Sequence, residues 1–557
     1  MSIIQQVMLS LGDHHFIAEY SPEDQNPGDS PYQTKYENYF FGSHCIDDDG
    51  FFYISTTAGR SGGTYGYPAS QRTRAIAKLT PTGNIITTKK LDNIYRYFSQ
   101  MFFADNHIYT VGYASAQKNS SGTSMGEDAL VMKFDKNLNI VWYRTIGNNS
   151  PAHEYDFFEG FGIDSSGNIY CGGNNSYQND LYENGTYTYD TRWLGSIGLV
   201  KYNSSGTLQW KKRIGYGTGS RNSNWDNAWG DGFTHVDSNN NIYVTGYQSG
   251  ANFLSSSDGT PDCGRRAAAF AMKLNSSGSV IWVKRRRAQQ TVQTGGPSSY
   301  TGCYHQYGRG GSSGVDSNGN LYQVYDNWQM SYNGYNNSMS GYADSLVKRN
   351  SSGTVQWERC WYIDPSSQGY LGYGSVNSLT QQILFDADDN VYVCMRQGKT
   401  SDYDRPTLIF KWNSSGTLQW ARRITRTNLL SDSWLPYPRG FKIDPVKKYL
   451  TVTGYIKDPA DTTGTGATLL RGFLLKLPLD GSKTGTYGNW TYAAENDFTF
   501  SQTFLGNSIT GVDVSSNLTT YNSNMVDNRH TLAVNAISMG TGAVGIATGI
   551  KVSENIP

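Results

Sequence analysis

Two short phrases alternate along this chain, and their repetition constrains the fold more than any other feature. The first phrase is apolar-Asp-x-x-x-Asn-apolar-Tyr, and its close copies begin at Ile163, Val236, Val315 and Phe385. The second is apolar-Lys-x-Asn-Ser-Ser-Gly-x-apolar-x-Trp, with its clearest copies at Val200 and Phe410. In both, a polar turn separates two apolar runs. Each phrase therefore predicts a β-hairpin, and their regular return predicts a repeat fold.

The spacing of the second phrase indicates the size of the repeated unit. Its lysines stand 55 to 75 residues apart, which is enough for four strands and their loops, at Lys78, Lys133, Lys201, Lys273, Lys348, Lys411 and Lys476. A four-stranded unit cannot bury both of its faces alone, so such units stack radially as blades. The expected fold is all-β, a β-propeller of four-stranded blades.

The blade count and the ends of the chain leave alternatives open. Seven repeats are clear over residues 38–494, and residues 495–557 hold a degenerate eighth repeat or a C-terminal attachment segment. Because Asp513 follows Asp444 by 69 residues, the period favours eight blades over seven. Residues 1–37 depart from the repeat and serve as an attachment or as a closing strand. Ile3–Gly12 resembles the last strand of a repeat, and such a strand would remove an exposed sheet edge by closing the ring.

These phrases resemble the bacterial β-propeller repeat of the SBBP type, with its Asp-x-x-Gly-Asn-apolar-Tyr and apolar-Lys-apolar-Asn-x-x-Gly patterns. The resemblance covers roughly residues 38–545 and implies a fold rather than a function, since propellers host enzymes, lectins and scaffolds alike. The polar residue composition of the repeats also resembles that of bacteriophage virion structural proteins, notably tail-associated proteins of cyanophages. That likeness implies a virion location.

Composition argues against several classes of partner. Lys plus Arg and Asp plus Glu balance at 46 each, so no net field would gather nucleic acid or an anionic membrane. The N-terminus shows neither a signal peptide nor a membrane span, so synthesis in a host cytoplasm without export is expected. The six cysteines form no C-x-x-C pair. Cys171 and Cys394 are expected to be buried thiols, and one disulfide between Cys263 and Cys303 remains open.

The two ends of the blades differ sharply. Both phrases contain tight turns, so one end should be flat and nearly identical from blade to blade. Long variable loops, such as Asn174–Gly195 and Tyr216–Gly230, project from the other end and are rich in Tyr, Trp, Ser, Gly and Asn, the composition of binding paratopes. Mutual packing of the aromatic loops is the structural alternative. The predicted ligand or partner residues are Tyr182, Tyr187, Trp193, Trp225, Trp229, Tyr304, Trp328, Trp361 and Trp434.

Other recurring residues favour structural roles. The turn aspartates, among them Asp164 and Asp386, are expected to accept backbone N–H bonds rather than to bind calcium. The repeated tryptophans are expected to pack in the core or between blades. Basic residues after these tryptophans, such as Lys211–Arg213, are expected to protect an exposed sheet edge, with binding of an acidic partner or glycan as the alternative.

No linear catalytic motif is present, and no cofactor or metal is expected. The leading hypothesis is a non-enzymatic virion protein, tail-associated or surface-exposed, that contacts other virion proteins or a host-surface glycan or protein receptor. No nucleic-acid partner and no membrane insertion are expected. A glycan-active propeller enzyme, a lyase or glycosidase, is one alternative because propellers assemble sites from separate blades. A purely architectural assembly protein is the other.

Overall fold

The fold is described from a computed structural model of the chain. It describes residues 7–10, 15–21, 40–58, 73–91, 98–115, 127–147, 156–183, 186–215, 227–249, 268–289, 310–330, 341–363, 383–396, 406–426, 436–445, 448–457, 470–496, 498–501, 510–514, 519–522, 526–527 and 549–550. All regular elements in these ranges are strands. No helix within them is long and apolar enough to cross a bilayer.

The strands form seven antiparallel sheets, the blades of a propeller. The chain begins with β1 (Val7–Ser10) and β2 (Phe16–Ser21). Blade 1 holds β3 (Phe40–Ile46), β4 (Phe52–Ala58), β5 (Thr73–Leu79) and β6 (Ile85–Leu91). Blade 2 holds β7 (Phe98–Ala104), β8 (His107–Ser115), β9 (Glu127–Phe134) and β10 (Ile140–Gly147). Blade 3 holds β11 (Asp156–Ile163), β12 (Ile169–Glu183), β13 (Thr186–Tyr202) and β14 (Leu208–Gly215).

The remaining blades follow the same order. Blade 4 holds β15 (Asn227–Val236), β16 (Ile242–Ser249), β17 (Ala268–Leu274) and β18 (Val280–Gln289). Blade 5 holds β19 (Gly310–Val315), β20 (Leu321–Met330), β21 (Gly341–Arg349) and β22 (Val355–Ile363). Blade 6 holds β23 (Leu384–Phe385), β24 (Val391–Arg396), β25 (Thr407–Trp412) and β26 (Leu418–Arg426). Blade 7 holds β27 (Tyr437–Ile443), β28 (Tyr449–Lys457) and β29 (Leu470–Pro478), with β2 as its fourth strand.

An N-terminal strand therefore closes the ring, as the sequence predicted, but the strand is a different one. Phe16–Ser21 pairs with β29, whereas Val7–Ser10, from the predicted Ile3–Gly12, lies one position further out against β2. Hydrogen bonds join the closed blade 7 to blade 1, among them those from Tyr20 Oη to the carbonyl of Gly83 at 2.7 Å and from Lys476 Nζ to that of Pro81 at 3.3 Å. The chain end that completes blade 7 thus also contacts the first blade.

The described part of the C-terminal region does not form an eighth blade. It consists of β30 (Gly485–Tyr487), β31 (Trp490–Ala494), β32 (Phe498–Ser501), β33 (Thr510–Val514), β34 (Thr519–Asn522), β35 (Val526–Asp527) and β36 (Gly549–Ile550). We call β31 to β36 the C-terminal belt. Its strands add in turn to the outer strands of blades 6, 5, 4, 3 and 2, and then to β2 of blade 7. The structure thus has the seven blades of the alternative prediction, with added outer strands.

One partly buried glutamate connects the closing strand to the belt. Glu19 of β2 accepts a hydrogen bond from Trp490 Nε1 of β31 at 2.7 Å and pairs with Arg426 Nε of blade 6, also at 2.7 Å. Arg426 and Trp490 are both nearly inaccessible to solvent. Glu19 therefore joins the N-terminal strand, a blade and the C-terminal belt at one point.

The core lies between neighbouring blades rather than in one central cluster. The largest described apolar cluster packs blade 6 against blade 7 through residues such as Tyr392, Ile409 and Phe473. Cys45, Cys171, Cys360 and Cys394 are buried free thiols, which confirms the prediction for Cys171 and Cys394. Cys263 and Cys303 lie outside the described residues.

Candidate functional site at the long-loop end of the blades

The blades present two unlike ends, as predicted. Turns between the first and second and between the third and fourth strands share one end, which we call the turn end. In the first turn of blade 3, Gly167 N donates to the carbonyl of Asp164, and Asp164 N donates to the carbonyl of Asn168, both at 2.9 Å. Gly167 has a φ of 76°, which favours glycine at this position. The opposite end, where the second and third strands and successive blades connect, is called the long-loop end.

The turn aspartates hold the hairpins together. Asp386 Oδ1 accepts the backbone N–H groups of Asp388 at 3.0 Å and Asn390 at 2.9 Å. Its Oδ2 accepts Tyr392 Oη at 2.8 Å and lies 3.3 Å from Lys411 Nζ. Burial alone would raise the pKa of Asp386, but these bonds together hold it below its usual range. The carboxylate oxygens are thus engaged by protein donors, which supports the predicted structural role over calcium binding.

The second phrase forms a clasp on the following blade. Trp357 Nε1 and Lys348 Nζ of blade 5 both donate to the carbonyl of Ser414 in blade 6, at 3.1 and 2.9 Å. In that turn, a Cβ on Gly416 would lie 2.9 Å from the Trp357 ring, so only glycine permits the close approach. The same tryptophan contact recurs at Trp142, Trp210 and Trp282. The tryptophans therefore pack between blades, as the sequence indicated.

The interpretation of the basic residues as protection for an exposed edge is wrong in the described blades. The basic residue two positions after the tryptophan extends the clasp, because Arg422 Nε donates to the carbonyl of Gly481 at 2.7 Å. Arg359 makes the equivalent bond to Gly416. In blade 3 the edge that carries Lys212 and Arg213 is not open, since β34 pairs with it. Arg359 and Arg422 therefore connect neighbouring blades.

Near the ring axis, innermost strands bring together His44, His235 and Lys442. Both ring nitrogens of His44 are hydrogen-bonded to threonine hydroxyls, at 2.9 and 2.7 Å, and His235 Nε2 is bonded to Ser313 Oγ at 2.9 Å. Burial, and then the charge of Lys442, lower the pKa of both histidines, that of His235 to about 4. Burial also lowers the pKa of Lys442 to about 8. Both imidazoles near the axis are therefore neutral at pH 7.

Acidification should destabilise the fold through these two histidines. The unfolded chain binds their protons below pH 6.5, whereas folded His235 binds one only near pH 4, so stability is lost as pH falls between these values. Each histidine can contribute at most about 1.4 kcal/mol per pH unit. Urea unfolding at pH 7 and pH 5 measures the loss. The His44→Gln/His235→Gln double variant should show a weaker dependence, and an equal dependence in both proteins would contradict this assignment.

The predicted binding residues divide into three groups. Tyr182, Tyr187, Trp193, Trp229 and Trp328 all lie in strands, close to the long-loop end. The placement of Trp229 in a connecting loop is therefore wrong, since its backbone pairs with Tyr247 in blade 4. Trp225, Tyr304 and Trp434 lie outside the described residues.

Trp361 is a correction to the predicted set. It lies in β22, is 1% exposed, and packs against Phe410 and Trp412 with ring centroids 5.6 and 5.5 Å away. A side chain that is already buried in the core cannot anchor a ligand on the surface. Trp361 could not be assigned to the strand from sequence alone, because the apolar residues of β22 continue to the start of the loop that follows.

An oversized hairpin extends from the long-loop end of blade 3. Its strands β12 and β13 have 15 and 17 residues, whereas β8 and β16 in the neighbouring blades have 9 and 8. Residues 177–183 thus extend roughly 20 Å further than a strand of ordinary length. The prediction of an irregular loop over Asn174–Gly195 is wrong for most of this segment. The signal in the sequence was the alternation Thr186-Tyr-Thr-Tyr189 after Asn184-Gly185, a favoured two-residue hairpin turn.

The strand pairing defines the class of this protein, a seven-bladed β-propeller closed by its N-terminal strand. No protein-family model matches the sequence, and no curated protein matches it. Among solved structures, a protein of unknown function from Dyadobacter fermentans DSM 18053 is 10% identical, with 82% of this chain and 98% of that chain covered and a TM-score of 0.36.

Two other solved structures are similar at the same level. Drosophila plexin A, solved in complex with semaphorin 1b, is 8% identical, covering 86% of this chain and 88% of its own, with a TM-score of 0.31. The hemagglutinin-neuraminidase ectodomain of parainfluenza virus 5 is 10% identical, covering 86% and 89%, also with a TM-score of 0.31. Likenesses this distant carry no functional argument, so function has to be argued from the chain itself.

Proposed function

We propose that this propeller is a non-enzymatic component of a bacteriophage virion, tail-associated or exposed on the particle. It binds a host-surface molecule or a neighbouring virion protein through the long-loop end of its blades. The observation that carries the proposal is the contrast between the two ends. The turn end repeats one hydrogen-bonded turn from blade to blade, whereas the long-loop end bears the extended blade 3 hairpin and strand-end tryptophans.

The scaffold suits a protein that presents a binding surface. The ring is closed by an N-terminal strand, and the C-terminal belt adds backbone hydrogen bonds to the outer strands of six blades, so these strands are paired within the described residues. A rigid scaffold of this kind holds variable segments in fixed positions, which favours recognition. The resemblance of the repeats to phage virion proteins supports the location.

The test is to look for the protein in the particle. Mass spectrometry of gradient-purified virions, with host proteins as the contamination control, should detect this chain at a stoichiometry well above that background. Absence from the virions would contradict the location. Incubation of the purified protein with bacterial polysaccharides should release no reducing or unsaturated ends, and such products would favour the glycan-active enzyme instead.

A further inference from the structure

The blade 3 hairpin has two faces of different chemistry. Its register pairs Tyr182 with Tyr187 and Asp180 with Tyr189. Directly paired residues share a face of an antiparallel ribbon, and so do residues two apart on one strand. Three tyrosines and one aspartate therefore occupy the same face. We call this set, Asp180, Tyr182, Tyr187 and Tyr189, the tyrosine face.

The opposite face of the ribbon has no aromatic residue at the corresponding positions. The register pairs Leu181 with Thr188 and Glu183 with Thr186, so positions held by leucine, glutamate and threonine alternate with the tyrosine positions along both strands. A strand pattern chosen only for β propensity would not require all the aromatic residues on one side. The separation indicates that one face of the ribbon is specialised.

We propose that the tyrosine face binds a neutral glycan, and this proposal deepens the recognition function proposed above. Paired positions on a ribbon are ~5 Å apart and successive positions on one face ~7 Å, so the face spans about two sugar rings. An aromatic ring offers an apolar surface with a negative face to the C–H side of a sugar, and the tyrosine hydroxyls add hydrogen-bonding groups.

The aspartate on the same face restricts the kind of glycan. A carboxylate accepts hydrogen bonds from sugar hydroxyls but repels a carboxylated or sulfated saccharide. The register adds the pair Gln178 and Trp193 beyond an irregularity in the ribbon, so a further aromatic residue and an amide lie next along the same hairpin. The inner strand β15 of blade 4, which contains Trp229, packs beside both β12 and β13. The hairpin and the strand-end tryptophan thus belong to one region of the long-loop end.

Affinity electrophoresis in native gels tests this inference. Dextran, galactomannan and laminarin serve as neutral probes, and alginate serves as the anionic probe. The protein should be retarded by at least one neutral polysaccharide and not by alginate alone. In the Tyr182→Ala/Tyr187→Ala/Tyr189→Ala variant, the dissociation constant should rise at least about 30-fold, the equivalent of one interface hot spot.

Two further variants separate ring stacking from folding of the hairpin. The opposite-face variant Leu181→Ala/Thr186→Ala/Thr188→Ala changes the same number of residues in the same strands and should bind within about twofold of the parent. The corresponding triple Tyr→Phe variant keeps the rings and should retain most of the binding.

Three outcomes would overturn the inference. They are no retardation by any neutral polysaccharide, retardation by alginate alone, or an equal loss of binding in the opposite-face variant. A protein that is present in virions but binds no neutral glycan would contradict this inference and leave the proposed function standing. A protein that binds glycan but is absent from virions would contradict only the proposed location.

Discussion

Replacing Trp490 with alanine is expected to lower the free energy of unfolding by about 3–5 kcal/mol, the usual cost of removing a buried tryptophan from a packed core. Trp490 begins the C-terminal belt, is 1% exposed, and packs against Phe473 of blade 7 with ring centroids 5.3 Å apart. The substitution also removes the hydrogen bond to Glu19 and leaves that carboxylate with one partner fewer. Chemical denaturation of the purified variant measures the loss.

Trp210→Ala provides the matched control. Trp210 is one of the repeated tryptophans, but it is only partly buried and makes a single hydrogen bond to the carbonyl of Ser276 at 3.2 Å. Its loss should therefore cost clearly less than that of Trp490. If the two variants were equally stable, the first belt strand would not be part of the core, and the pairing of β31 with β26 would be in doubt.

Asp386→Ala is the second substitution with a large expected effect, again about 3–5 kcal/mol. It removes the acceptor of two backbone N–H groups and of Tyr392 Oη, and it leaves the Lys411 ammonium without its nearest carboxylate. Buried donors that lose their acceptor keep the full cost of desolvation. Thermal and denaturant unfolding should both show the change.

A neighbouring aspartate in the same turn serves as the control. The Asp388 side chain is exposed, and its replacement by alanine should change stability by no more than about 0.5 kcal/mol, as is usual on the surface. Equal losses in the Asp386→Ala and Asp388→Ala variants would show that turn propensity, rather than the hydrogen-bonded carboxylate, stabilises the hairpin.

The propeller could be predicted because its information is local and repeated. Each phrase contains its own turn, and equivalent side chains make equivalent contacts in one blade after another. The residues of the aspartate turns were also visible in the sequence, since Asp, Tyr and Lys recur together at the positions of Asp386, Tyr392 and Lys411 in blade after blade. The contacts of the clasp could not be predicted because they join different blades, as the bond from Lys348 to Ser414 does.

The prediction of an eighth repeat in place of the belt was wrong for a different reason. Thr510–Val514 carries an aspartate at the repeat spacing, yet Asp513 pairs with Arg286 of blade 4, and the next strand, Thr519–Asn522, pairs with blade 3. A strand that adds to an existing edge is held mainly by backbone hydrogen bonds, so it needs little pattern of its own. Tertiary pairing rather than local sequence decides what such a segment becomes.

The candidate binding surface could be predicted only in part. Aromatic content drew attention to the segment around Tyr182 and Tyr187, but composition could not distinguish a loop from a ribbon. It also could not distinguish Trp361, which is buried, from residues at strand ends. Alternation within Thr186–Tyr189 was the available signal for a strand, and the register then placed Asp180 beside the tyrosines.

The belt also changes how the repeat array can fold. In a simple array each unit contacts only its neighbours, so blades can form one after another with mainly local contacts. The belt instead pairs Arg213 with Tyr521 and Arg285 with Val514, and β36 pairs with the N-terminal strand, so these contacts span most of the chain. Contacts of high sequence separation slow folding and are formed late. The edges that receive the belt exist only once the blades have formed, so the belt strands can add to them only afterwards, and they then connect blades that lie far from them in sequence.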